Sequence, residues 1–124
     1  SATAAGWGIL SAGGGGAADT LREVNLLVAS NAVCNVPYNG TITDRMLCAG
    51  SLAGGIDTCQ GDSGGPLFVE NNSRFTLVGV TSFGRGCATP GFLGVYARVS
   101  QFTSWINSYV PAGGRLGVIR AINR

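Results

Sequence analysis

The chain has 124 residues, a length that suits one domain. Its formal charge is only +2, from eight arginines and six acidic residues without any lysine, and the basic residues are scattered rather than striped. This charge pattern gives no reason to expect nucleic acid as a partner. Because no apolar run reaches the ~18 residues of a spanning helix, a membrane span is not expected either. Glycine, at 21 residues, separates short apolar runs, which favours an all-β domain.

The first residues predict that the chain begins inside a longer protein. Residues 1–5 contain no initiator Met, no basic region and no apolar region of a signal peptide. The Gly-rich loop at 13–16 then leads into a strand predicted over 21–28. Residues 30–34 favour a short capped helical turn at most. The residues at 37–40 predict a loop before a strand that ends at Cys48.

Residues 50–66 form one long loop, and a loop of this length in a compact domain is usually functional. Two apolar runs at 67–69 and 75–80 flank residues 71–73, which predicts a β-hairpin.

A helix is predicted near the end of the chain, with Ser100 as its N-cap. The apolar residues on one face of this helix, which we expect to pack against the barrel, are Phe102, Trp105, Ile106, Tyr109 and Val110. Residues 111–124 contain two adjacent glycines and three arginines. They predict a basic tail or a linker.

The strongest motif is Gly-Asp-Ser-Gly-Gly-Pro at 61–66. Glycines around a serine let the backbone bend so that successive N–H groups point into one concavity. We therefore expect Ser63 to be a nucleophile, and the N–H groups of Gly61 and Ser63 to form an oxyanion hole. The alternative, a Gly-rich turn without chemistry, is weaker because six specified positions match in a row.

The chain contains no histidine. A serine hydroxyl is a poor nucleophile at neutral pH unless a neighbouring base, usually an imidazole, takes its proton. A lysine base is also absent from the chain. The base for Ser63 must therefore come from elsewhere.

These residues resemble the chymotrypsin and trypsin family of serine endopeptidases, over about residues 4–110. The other segments that carry the resemblance, in matching order and spacing, are Gly-Trp-Gly at 6–8, Met-Leu-Cys-Ala-Gly at 46–50, Thr-Ser-Phe-Gly at 81–84 and Gly-Val-Tyr-Ala-Arg-Val at 94–99. The family has two barrels with the site between them. The resemblance therefore implies that residues 1–110 are the second, a six-stranded antiparallel Greek-key barrel with a C-terminal α-helix. The His and Asp of the triad would lie on the missing first barrel.

The resemblance also implies a substrate pocket. Asp57 would lie at its base and bind an Arg or Lys side chain through charge-assisted hydrogen bonds. Gly84 and Gly94 would form walls without side chains, and Gln60 would lie at the rim. Ser82, Phe83 and Gly84 would run along an extended substrate, with Phe83 in place of the family's usual Trp.

Asp62 resembles the family residue whose carboxylate pairs with a freed α-amino terminus after zymogen cleavage, and so orders the oxyanion hole. The alternative for Asp62 is an Asx turn that stabilises the loop.

Four cysteines allow three pairings that the sequence alone does not separate. The resemblance selects Cys34–Cys48 and Cys59–Cys87, against the alternative of four buried thiols. Disulfides persist in oxidising compartments, so we expect a secreted, extracellular or periplasmic protein. No Cys-x-x-Cys or His set supports zinc, and no metal or organic cofactor is implied.

The resulting hypothesis is a secreted, zymogen-derived serine endopeptidase that cleaves after Arg or Lys. This chain would be its nucleophile-bearing half, inactive alone. Expected partners are protein or peptide substrates with a basic residue before the scissile bond, the missing barrel with His and Asp, and protein protease inhibitors. The alternative is a non-catalytic protease homologue that acts as a binding module, but such a module needs no nucleophile, pocket acid and oxyanion donors together.

Overall fold

The computed structural model describes residues 1–11 and 14–110. The strands are β1 (Ala2–Gly6), β2 (Arg22–Ala29), β3 (Met46–Gly50), β4 (Pro66–Asn71), β5 (Arg74–Phe83) and β6 (Gly94–Arg98). The helices are α1 (Asn31–Tyr38) and α2 (Thr103–Tyr109), preceded by a 3₁₀ turn at Val99–Gln101. The tail predicted at 111–124 and part of the Gly-rich loop lie outside the described residues.

The strands close into one barrel with the order β1-β2-β3-β6-β5-β4, and every neighbouring pair is antiparallel. The connection from β3 to β4 joins strands that are not neighbours, which makes the barrel a Greek key. The fold class predicted from the sequence, an all-β six-stranded barrel with a C-terminal helix, is therefore confirmed. Within the part of the chain that the model describes, no helix is both long and apolar enough to span a membrane.

The barrel interior is filled by residues that alternate along the strands. Its buried members are Ala2, Ala4, Leu26, Leu47, Ala49, Leu67 and Tyr96. Tyr96 is the largest fully buried side chain. Space for it comes from Gly79 on the neighbouring strand, since a Cβ at Gly79 would lie 3.0 Å from the Tyr96 Cβ. Small residues beside large ones thus let side chains fit inside a narrow barrel.

A second core lies between α1 and the barrel, and it surrounds the Cys34–Cys48 disulfide. The helix runs through Tyr38, so the prediction of only a short turn at 30–34 was wrong. Ser30 caps its start by accepting a hydrogen bond from the Val33 N–H at 3.3 Å. Pro37 favoured a loop in the sequence, but it lies in the last turn, where its missing N–H removes a single helical bond.

The predicted hairpin is confirmed, with β4 and β5 joined by a tight turn at Asn72 and Ser73. Both turn residues have positive φ, 53° and 64°, as a two-residue hairpin turn of type I′ requires. The strand predicted at 21–28 is shifted by one residue, since β2 covers Arg22–Ala29. The strand predicted to end at Cys48 continues for two more residues, since β3 ends at Gly50.

The end of the chain differs from the prediction. Ser100 lies inside the 3₁₀ turn, and α2 starts after Phe102, which makes no side-chain capping bond. Trp105 and Tyr109 are 64% and 74% exposed. Their rings contact each other, with centroids 5.4 Å apart. The prediction that this face packs against the barrel was therefore wrong for these two residues, because the one-turn spacing lets the rings pack on each other instead.

Candidate active site

The long loop at 51–65, the end of β5 and the start of β6 enclose a cleft of about 210 Å³. Nine of the predicted site and disulfide residues line it: Asp57, Cys59, Gln60, Ser63, Ser82, Phe83, Gly84, Cys87 and Gly94. The barrel therefore gathers at one end residues that are up to 37 positions apart in the chain, from Asp57 to Gly94. Asp62 does not line this cleft and contributes to a neighbouring one.

Asp57 is half-buried in the cleft, and backbone donors hold its carboxylate. Its Oδ1 accepts a hydrogen bond from the Thr58 N–H at 2.8 Å, and its Oδ2 accepts one from the Ala88 N–H at 2.9 Å. Burial raises the pKa of this carboxyl, the two N–H donors oppose that rise, and the charge of Asp62 adds to it. The carboxylate is thus fixed in orientation and less solvated than an exposed one.

Gly94 and Gly84 differ in how closely they approach this carboxylate. A Cβ on Gly94 would lie 2.6 Å from the Asp57 Oδ1, a distance that no real contact tolerates. A Cβ on Gly84 would meet its nearest atoms at 3.7 Å, which is ordinary van der Waals contact. Gly94 is therefore required by the position of Asp57, whereas a Cβ at Gly84 would be accommodated in ordinary contact.

Thr58 and Tyr96 form a hydrogen bond beneath the pocket that the sequence did not reveal. The Thr58 Oγ1 and the Tyr96 OH lie 3.1 Å apart. Burial raises the pKa of Tyr96 to about 12, although the bond to Thr58 opposes the rise. Two features of the sequence could have indicated this pair. Thr58 follows Asp57 directly, and strand alternation places Tyr96 on the same side as Gly94.

Tyr38 is a second residue that the sequence analysis missed, since its segment was interpreted as a loop. The Tyr38 OH donates to the Leu93 carbonyl at 2.7 Å and accepts from the Arg85 N–H at 3.2 Å. Its ring meets Phe83 and Phe92 edge-on, at centroid distances of 6.1 and 5.5 Å. Tyr38 therefore ties α1 to the cleft wall, and burial raises its pKa.

The turn that carries Ser63 depends on glycine at two positions with positive φ, Gly61 at 94° and Gly64 at 82°. The Gly64 N–H donates to the Thr81 carbonyl at 2.9 Å, and the Gly65 N–H donates to the Asp62 carbonyl at 3.0 Å. Among the described residues, no acceptor takes the N–H of Gly61 or of Ser63. These two donors are therefore available to a ligand, beside an exposed Ser63.

Asp62 joins two segments of backbone. Its Oδ1 accepts from the Gly8 N–H at 2.8 Å, and its Oδ2 accepts from the Cys59 N–H at 2.9 Å. A Cβ on Gly8 would lie 2.5 Å from the carboxylate carbon, so the Gly-Trp-Gly segment can approach only because it lacks a side chain there. The bond to Cys59 stabilises the loop, but it comes from a residue three positions earlier and is therefore not the predicted Asx turn, which uses an N–H two positions later.

The structure contains both disulfides that the resemblance selected. Cys34–Cys48 has a Cα–Cα distance of 6.4 Å, and Cys59–Cys87 one of 5.3 Å. The second bridge lies at the cleft, where the Gln60 Oε1 is 3.0 Å from the Cys59 Sγ and 3.3 Å from the Cys87 Sγ. Because a disulfide carries no S–H, these are contacts and not hydrogen bonds, and they place Gln60 over the bridge.

Comparisons with known proteins agree with this barrel. The trypsin family model matches residues 1–106. Over 104 residues the chain is 46% identical to human (Homo sapiens) transmembrane protease serine 5, a match that covers 82% of this chain. This chain belongs to the trypsin family. It spans 23% of the length of that human relative.

Proposed function

We propose that this chain is the nucleophile-bearing half of a serine endopeptidase that cleaves after Arg or Lys. The observation that carries the proposal is that Ser63 and Asp57 line one cleft. A nucleophile and a carboxylate that share a cleft can act on one extended substrate, the first on its scissile carbonyl and the second on the side chain before it.

The free N–H groups beside Ser63 supply the electrostatic part of the mechanism. When the Ser63 Oγ attacks the carbonyl, the negative charge that develops on the carbonyl oxygen accepts hydrogen bonds from the Gly61 and Ser63 amides. The serine proton passes to a base, which later returns it to the leaving amine. Water then hydrolyses the acyl-enzyme.

The base must lie outside this chain, because the chain contains no histidine and no lysine. We place the catalytic His and Asp on a second barrel. The small fraction of the human relative's length that the chain spans supports this division, since it leaves ample sequence for another barrel.

Asp57 gives the site its preference for basic side chains. A guanidinium or ammonium that enters the cleft replaces lost solvation of the half-buried carboxylate with charge-assisted hydrogen bonds. An apolar side chain would leave that carboxylate unpaired, so the pocket should strongly disfavour substrates with an apolar side chain at this position. Gly84 leaves room for a long side chain, and the backbone of Ser82, Phe83 and Gly84 would pair with the extended substrate.

Asp62 provides a means of activation. Its two oxygens accept one backbone N–H each, and a carboxylate has about four lone-pair sites. A freed α-amino group would therefore bind there in addition and stabilise the loop that carries the oxyanion donors, as after cleavage of a zymogen.

The protein acts outside the reducing cytosol, and two formed disulfides support this location. The human relative is named a transmembrane protease, so a released protein and one held at a membrane are both compatible with this location. Its partners are protein substrates with an exposed Arg or Lys, and protein inhibitors that present such a residue to the cleft.

Active-site titration with an arginine-like ester, 4-nitrophenyl 4-guanidinobenzoate, tests the proposal. The chain alone should give no burst of nitrophenol, because the base is absent. The longer native protein, including the barrel with His and Asp, should give a burst equal to its concentration, and Ser63→Ala should abolish it. A burst from the chain alone would overturn the need for an outside base. No burst from the longer protein would favour the binding-module alternative.

A further inference from the structure

Two Asn-x-Ser/Thr tripeptides lie away from the catalytic motif. They are Asn39-Gly40-Thr41 and Asn71-Asn72-Ser73. A tripeptide of this kind, with any middle residue except Pro, is the acceptor for N-linked glycans in secretory proteins. We propose that Asn39 and Asn71 are N-glycosylation sites of this chain.

Asn39 is the C-cap of α1 and has a left-handed backbone conformation. Its φ and ψ are 56° and 40°, and its backbone N–H bonds to the Asn35 carbonyl. Asn39, Gly40 and Thr41 are all exposed. Within the described residues, the Asn39 carboxamide makes no hydrogen bond, so a glycan on its nitrogen would break none.

Asn71 ends β4, directly before the two-residue hairpin turn, and all three residues of its tripeptide are exposed. It lies five positions along the strand from Pro66, the last residue of the catalytic serine motif. At ~3.3 Å per residue, Asn71 therefore lies about 17 Å along β4 from that end. A glycan at the hairpin tip would project from the opposite end of the strand and leave the cleft open.

Two other asparagines, Asn31 and Asn35, differ from the acceptor asparagines because their side chains hydrogen-bond to the backbone. The Asn31 Nδ2 donates to the Thr43 and Met46 carbonyls, and the Asn35 Nδ2 donates to the Ile42 carbonyl. Neither of these asparagines begins an acceptor tripeptide. The asparagines whose carboxamides hold loops together are thus distinct from the two that carry the acceptor pattern.

The disulfides supply an independent reason to expect glycosylation. The eukaryotic compartment that forms disulfides also contains the oligosaccharide donor, a lipid-linked oligosaccharide diphosphate. In the transfer, the Asn Nδ2 forms a bond to C1 of the first sugar and loses one proton. The C1–O bond to phosphate breaks, and the lipid diphosphate leaves. A chain that forms both bridges there meets the donor as well.

Two substitutions remove the acceptors without disturbing the backbone. Asn39→Gly replaces a residue of positive φ with the one that tolerates it best, at a helix C-cap. Ser73→Gly creates Asn-Gly, the preferred two-residue hairpin turn, and removes the hydroxyl that the tripeptide needs. The matched controls keep both tripeptides: Asn72→Gly alters the same hairpin turn, and Thr41→Ser alters the same loop.

The test is the mass of the chain expressed with a leader peptide in eukaryotic cells, before and after peptide N-glycosidase treatment. Cell lysate and medium are both analysed, so poor secretion does not hide the result. The wild type should carry two glycans. Asn39→Gly and Ser73→Gly should carry one glycan each, and the two control variants should carry both glycans. Cleavage in heavy-oxygen water should label Asn39 and Asn71 as Asp. A wild-type mass unchanged by the enzyme would overturn the proposal, and an unlabelled Asn39 or Asn71 would overturn it for that site.

Discussion

The two disulfides lie in contrasting surroundings. Cys34 and Cys48 are almost fully buried, at 1% and 0% exposure, within the core between α1 and the barrel. Cys59 and Cys87 are only partly buried and line the cleft. The first bridge therefore attaches a helix to the barrel, whereas the second joins the loop before Ser63 to the loop after β5. The same covalent bond serves stability at one site and pocket geometry at the other.

Judged by loop length alone, the cleft bridge would stabilise the protein more than the buried bridge. The sequence separations are 14 and 28 residues, so the chain-entropy model gives about 3 and 3.6 kcal/mol, slightly more for the cleft bridge. Burial reverses the ranking, because removal of a packed bridge also leaves a cavity. Loop length thus describes how strongly each bridge constrains the unfolded chain, whereas burial describes how well each bridge packs in the folded protein.

The largest expected effect follows from this ranking. Replacing Cys34 and Cys48 together by Ala should lower the free energy of unfolding by about 3 kcal/mol from chain entropy, with a further loss from the cavity. Replacing Cys59 and Cys87 by Ala should cost less stability but weaken binding of benzamidine, a basic pocket ligand. Urea unfolding and calorimetry measure the two quantities. Equal losses of affinity from both double variants would contradict the division of roles.

Within the cleft, Gly94 and Gly84 allow a sharper comparison. Gly94→Ala places a methyl group 2.6 Å from the Asp57 Oδ1 and should displace that carboxylate. We expect benzamidine affinity to fall by at least about 10-fold, or 1.4 kcal/mol. Gly84→Ala meets only ordinary contacts and should have a smaller effect. The reverse order of the two affinities would show that Asp57 does not contact the ligand's charge.

The pH dependence of binding reports on Asp57 itself. Because burial raises its pKa above the ordinary value of 3.8, benzamidine affinity should fall as the pH drops through a midpoint above 3.8. The sign for stability is opposite in the free protein: a raised pKa gives a contribution present at low pH that is lost as pH rises through the folded-state value. Calorimetric titrations across acidic pH check the prediction. An affinity that stays constant down to pH 3.8 would contradict it.

The smallest effect is expected from removing the hydrogen bond between Thr58 and Tyr96 beneath the pocket. Tyr96→Phe removes the hydroxyl that bonds Thr58 and should lower the free energy of unfolding by about 1 kcal/mol. Because the Tyr96 pKa is raised to about 12, the wild type should also lose stability as pH rises through roughly 10 to 12, and this loss should be reduced in the variant. Urea unfolding at neutral and alkaline pH measures both. Identical alkaline profiles would exclude Tyr96 as the titrating group.

The sequence predicted the parts of the cleft that depend on local motifs. The glycines around Ser63 could be placed from the local motif, and Asp57 from the family resemblance, and the structure brings Ser63 and Asp57 into one cleft. Tyr38 could not, since its OH bonds to Leu93, 55 residues away, and only the closed barrel brings them together. The start of α2 was misplaced because the segment with Ser100 forms a 3₁₀ turn, which competes with the capping role that its side chain suggested.

The central claim is that Asp57 selects a basic side chain next to Ser63. Calorimetric binding of benzamidine and its neutral analogue benzamide to the wild type and to Asp57→Asn tests it most directly. We predict that the wild type prefers benzamidine and that Asp57→Asn loses about 10- to 100-fold in affinity, as expected for hydrogen bonds to a charged group worth 1.5–3 kcal/mol. If Asp57→Asn, shown to be folded by thermal melting, binds benzamidine as tightly as the wild type, the account of this pocket is wrong.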